Sequence, residues 1–117
     1  MPISHSSTLR RILLASAFAV GTMGLGGMAG AAELVGLITK TNNNPFFVKM
    51  KEGAEAKAKE LGLQFQSFAG KYDGDNDGQV AAVESLIAAG AKGILITPSD
   101  TKAIVPTIKQ ARDAVLA

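Results

Sequence analysis

Cysteine and tryptophan are both absent, and the one histidine, His5, stands close to the amino terminus. Without thiols the chain can form no disulfide, no thiolate-bound metal site, no cysteine nucleophile and no lipid anchor on cysteine. Past His5, neither a Ser-His-Asp triad nor a histidine-ligated metal can be assembled. A dominant charge is missing as well. The 117 residues include 12 basic and 10 acidic side chains, of which Arg10 and Arg11 are two and every acidic residue lies at or beyond Glu33. From Glu33 onward the balance is therefore ten to ten, which gives no basic field for nucleic acid.

Arg10 and Arg11 precede an apolar run, Ile12 to Val20, which leads into small residues ending at Ala29-Gly30-Ala31-Ala32. That is the layout of a cleavable signal peptide over residues 1–32, and it predicts export to the periplasm. Cleavage before Glu33 would use Gly30 and Ala32, and cleavage before Ala32 would use Ala29 and Ala31. The uncharged stretch from Ile12 to Ala32 reaches the ~20 residues of a membrane span, but Gly21, Gly24, Gly26, Gly27 and Gly30 make it a poor helix. Leu9 before the arginine pair and the lack of a following lysine favour the general export route over the twin-arginine one. Gly24-Leu25-Gly26-Gly27-Met28-Ala29 fits a dinucleotide-binding pattern, but no strand precedes it and it is read as coincidence.

The pattern is regular from Leu34. Leu34 to Thr39 is a short, continuous apolar run, as in strands covered on both faces. Phe47, Met50, Ala54, Ala58 and Leu61 recur at helical spacing, with Glu55 and Lys59 as an i,i+4 pair, and Gly62 ends that helix. Leu63 to Phe68 alternates apolar and polar and predicts an edge strand. A second helix is marked by Val80, Val83 and Ile87, with Ala82 and Leu86 beside them, and stops at Gly90. Gly93 to Thr97 predicts a third, central strand. Pro98-Ser99-Asp100 then opens a last helix with the stripe Ile104, Ile108, Ala111 and Val115, loosened near Lys102 to Pro106 by the proline. Strand and helix alternate three times, so the fold class is α/β: a doubly wound parallel sheet of Rossmann-like βαβαβα order.

Ligands of such sheets bind beyond the carboxyl ends of the strands. Those ends carry Lys40 to Asn44, Lys71 to Asp77 and Thr97 to Asp100, whereas Gly62, Gly90 and Ala91 at the other end are bland. The run Lys40-Thr41-Asn42-Asn43-Asn44-Pro45-Phe46-Phe47 suits a neutral sugar. An asparagine amide both donates and accepts, so it can bridge neighbouring hydroxyls, and a phenylalanine ring can cover the C–H face. The competing reading makes Asn44 a helix cap, Pro45 the first helical residue and both rings core. Phe47 begins the helical stripe and Phe46 lies about 100° from it, which assigns stacking to Phe46 and packing to Phe47.

Asp73 to Glu84 satisfies the calcium-loop pattern, with acidic residues at positions 1, 3, 5 and 12 and glycine at 6. No helix is expected to enter this loop, however, and Asp75 or Asp77 can instead cap the second helix.

Leu34 to Thr39, the Asn-Asn-Pro-Phe-Phe run, Leu61-Gly62, Gly90 to Gly93, Thr97 to Asp100 and Val105 to Arg112 together resemble the amino-terminal lobe of periplasmic sugar-binding proteins of ABC importers, in the ribose- and fructose-binding branch. The resemblance implies a two-lobed receptor closing on a monosaccharide, a membrane permease as partner, a monomer when complete, and neither cofactor nor catalysis. It places sugar contacts on Asn44 and Phe46, with Asn43 beside them. Lys40 falls where relatives carry a contacting Ser or Tyr, and is a departure. Residues 33–117 would form part of one lobe, because Glu33 to Ala117 is short beside the ~100–150 residues of an α/β domain and no fourth strand follows. The terminal Asp113 to Ala117 also lacks the glycine that follows the third helix in relatives. A sensory receptor of the same fold and a small calcium-binding module are the alternatives.

Overall fold

The structure, a computed structural model, describes residues 32–115. The expected signal peptide therefore lies outside the described residues, apart from Ala32, and so do Leu116 and Ala117. The described elements run β1 (Leu34–Thr39), α1 (Pro45–Glu60), β2 (Gln64–Ala69), α2 (Asn76–Ala88), β3 (Gly93–Ile96) and α3 (Val105–Val115). All strands are parallel, in the order β2-β1-β3. Among the described residues no helix is long and apolar enough to cross a membrane.

Strand β1 earns the centre by its composition. Its uninterrupted apolar side chains can be buried on both faces, and β2 and β3 supply hydrogen bonds on both flanks. Along β1, Leu34 and Ile38 point to the face where they meet Ala82, Val83 and Leu86 of α2 and Ala91. Gly36 lies on that same face, and a Cβ there would run into the Leu86 side chain. The other face is covered by α1, whose Phe47 and Ala58 are buried.

The first two helices end alike. Gly62 (φ 72°) and Gly90 (φ 78°) take the left-handed conformation that closes the last turn. Leu63 N–H then reaches Ala58 O, and Ala91 N–H reaches Leu86 O. This double arrangement satisfies the orphan carbonyls and turns the chain sharply into the next strand.

Several expectations are corrected. Among the described residues strand β3 is not central but pairs only with β1, and Leu95 is 63% exposed. Leu61 is not core but the exposed C-cap of α1, at 60%. The i,i+3 pairs Lys49–Glu52 and Lys57–Glu60 form instead of Glu55–Lys59. The buried face of α2 is Gln79, Ala82, Val83 and Leu86, with Val80 and Ile87 only partly covered, so the helix is rotated from the expected stripe. The segment Ser99 to Ile104 is a turn rather than helix, and α3 begins at Val105 with Pro106 in its first turn, where a missing N–H does no harm.

Candidate functional site

The carboxyl ends of the three strands carry three polar turns, and hydrogen bonds knit them together. Asn44 caps α1: its Oδ1 accepts the Phe46 backbone N–H at 2.9 Å, and its carbonyl receives Phe47 and Val48. The cap uses only the oxygen end of the side chain. Its NH₂ group makes no hydrogen bond among the described residues and sits at an exposed position. Both sequence readings of Asn44 therefore fit one geometry.

Phe46 and Phe47 separate as their helical angle requires. Phe47 is buried and Phe46 is 64% exposed. Their rings meet edge to face, 5.3 Å between centroids and 79° between planes, so the core ring braces the outer one. Asn43 is exposed in the same turn. Lys40 leans across to the neighbouring turn, its Nζ 3.9 Å from Asp73 Oδ1, a pair too exposed to contribute much.

The calcium pattern resolves into a cap. Asp75 is buried, with Oδ2 accepting Lys71 N–H and Oδ1 accepting Gly78 N–H, both at 2.9 Å. These bonds, Lys71 first and Gly78 second, hold its carboxyl below the usual 3.8. Glu84 is exposed partway along α2, roughly 12 Å up the axis at 1.5 Å per residue. Among the described residues no three metal-ligating groups come together. Asp100 works in the same way in the third turn, accepting Ala103 and Lys102 N–H, which lowers its carboxyl too.

The residue that the sequence reading missed is Gln79. Its side chain is fully buried and spends its amide on three backbone groups. Nε2 donates to Thr39 O (3.2 Å) and Thr97 O (2.9 Å), and Oε1 accepts Ser99 N–H (2.9 Å). Thr97 Oγ1 contacts Met50 Sδ of α1 at 3.6 Å, and Thr39 Oγ1 donates to Thr41 O at 2.9 Å. A usable signal was present, since a polar residue sits on a helix face otherwise made of Ala82, Val83 and Leu86. Among the described residues, Ser99 Oγ and Asn76 Oδ1 are buried without a partner.

The layout is that of an open parallel α/β sheet with polar turns gathered at the carboxyl ends of its strands, where such folds bind their ligands, and the chain's kinship is in keeping with it. Residues 35–116 match the periplasmic binding protein domain, and the chain belongs to that family. Among its relatives, the D-ribose/D-allose-binding protein of Pseudomonas aeruginosa is 37% identical over 82 residues, covering 68% of this chain and 26% of that protein. The ribose import binding protein of Escherichia coli is 35% identical over 88 residues, covering 74% and 28%. A solved ABC transporter solute-binding protein from Actinobacillus succinogenes with bound D-allose matches with a TM-score of 0.66 at 29% identity, covering 70% of this chain and 29% of that one. The chain thus spans about a quarter of the length of the curated relatives it matches.

Proposed function

We propose that this chain is the sugar-capturing wall of a periplasmic solute-binding protein, which holds a neutral monosaccharide, ribose- or allose-like, for a membrane permease of an ABC importer. The observation that carries the reading is the exposed Asn44 amide, its oxygen committed and its NH₂ without a hydrogen bond among the described residues, beside the exposed ring of Phe46 at the carboxyl end of a parallel sheet. In this reading Asn44 Nδ2 donates to a ring hydroxyl and Phe46 lies against the C–H face. Asn43 and Lys40 flank the site as further donors, Lys40 being drawn partly away by Asp73. A second lobe closes over the opposite face of the sugar. Binding and release make and break no covalent bond, so the role is that of a carrier and not an enzyme. Residues 1–32 act as the leader that delivers the protein to the periplasm. The relatives named for ribose and allose support the sugar class.

One wall with two or three contacts should bind weakly, with a dissociation constant on the order of 1–50 mM. Titration of the ¹⁵N-labelled chain with D-ribose and D-allose tests this. The expected result is saturable shifts of the Asn44 side-chain amide and of the Phe46 backbone. No movement of residues 42–46 with either sugar up to about 50 mM would overturn the reading.

A further inference from the structure

The β1–β3 ladder ends with the Ile38–Ile96 pair and a last bond from Thr97 N–H to Ile38 O. Beyond that point no β1–β3 pairing ties the two turns to each other, although Thr39 stays in register with β2, and Thr39 O, Thr97 O and Ser99 N–H all converge on one side chain, Gln79, from a third element. The contacts reach 40 and 18 residues along the chain for the two carbonyls. Gln79 is fully buried, and both its donor and acceptor ends are used. A glutamine matches this task because two N–H donors and one carbonyl lie in a fixed plane. A carboxylate would set an oxygen, in place of the donor, against two carbonyls, and an aliphatic chain would leave Thr97 O and Ser99 N–H without this partner, Thr39 O keeping only Gly70 N–H.

We propose that Gln79 is the positioning residue of the rim: it sets the separation between the end of β1, from which the Asn44 turn departs, and the turn after β3, and so holds two of the three ligand-facing turns in register. The proposal rests on the sugar reading for its purpose but not for its geometry. It also explains why a polar side chain occupies the buried face of α2, where an aliphatic one would pack against the sheet.

Gln79→Met has similar length and no amide, while Val83→Ala, one turn further along the same buried face, lowers stability without touching either turn. Both are compared with the wild-type chain at a temperature where all three are folded. Gln79→Met is expected to speed hydrogen exchange at Ser99 N–H by about tenfold or more and to raise the D-ribose dissociation constant by a similar factor, with Val83→Ala leaving both unchanged. Equal effects in the two variants would reduce Gln79 to a stability residue and overturn the proposal, as would unchanged binding in Gln79→Met. A measurement on the wild type covers the case in which Gln79→Met does not fold. D-ribose should shift the Gln79 side-chain NH₂ resonance while those of the exposed Gln64, Gln66 and Gln110 stay still. A stationary Gln79 resonance beside a moving Asn44 overturns the proposal. If neither D-ribose nor D-allose moves Asn44 in the wild type, the sugar reading fails, and Ser99 exchange alone then decides whether Gln79 holds the turn.

Discussion

At the scale of single residues, Asn44 carries two duties that substitutions can separate. Asn44→Asp keeps an oxygen for the Phe46 N–H and adds negative charge at a helix start, so stability should hold within about 0.5 kcal/mol. It loses the NH₂ donor, and sugar affinity should fall by about 1–3 kcal/mol. Asn44→Ala loses the cap as well, and unfolding in urea should register a further cost of about 1 kcal/mol. Phe46→Ala removes a ring already 64% exposed, so calorimetric titration should find affinity weakened by about 1–3 kcal/mol with little change in melting temperature. The Asn-Asn-Pro-Phe-Phe run made these two positions legible, because cap, proline and helical angle leave few arrangements. Lys40 was less legible, since its pairing with Asp73 joins two turns that only the folded sheet brings together. Gln79 was open to notice as a polar residue on an apolar helix face, but its three partners lie outside α2 and could not be read from its neighbourhood in the sequence.

At the scale of elements, the acidic turn before α2 makes stability depend on pH. Asp75 is held below its ordinary 3.8 by Lys71 and Gly78 N–H, so its contribution is complete above that value and is lost as pH falls through the lower, folded one. Melting curves between about pH 4 and about pH 2 should therefore drop steeply for the wild type and less steeply for Asp75→Asn, which starts lower at neutral pH. Packing gives a second test. Gly36→Ala drives a methyl into the fully buried Leu86 side chain and should cost about 1–3 kcal/mol, read as a lower urea midpoint at unchanged slope. The limits of β1 were legible to the residue because both faces of a central strand must be apolar. The equally apolar β3 misled for the same reason. Composition reports how much burial a strand can accept and not how many neighbours it has among the described residues.

At the scale of the whole molecule, β3 presents an outer edge among the described residues, with no lysine, proline or bulge to blunt it. Apolar hollows flank it on either face. One is lined by Ile94, Ile96, Ile108 and Val115, and the other by Leu61, Leu63, Phe65 and Leu95. Self-association should rise with concentration, and Leu95→Lys should suppress it in light scattering at a stability cost under about 0.5 kcal/mol. The doubly wound order, the edge position of β2 and the gathering of polar turns at one rim were all legible from the alternation of strands and helices. The tie between turns was not, because it depends on contacts far apart in sequence.

Among the described strands the innermost is also the earliest to leave the ribosome. β1 ends at Thr39, but its second flank stays bare until Gly93 has been made, roughly 3–10 s later at ordinary translation speeds. Through that interval the backbone groups on that flank have no strand partner, and the sheet cannot close around its own middle. A nascent chain built this way completes its sheet later than one whose neighbouring strands pair as they appear.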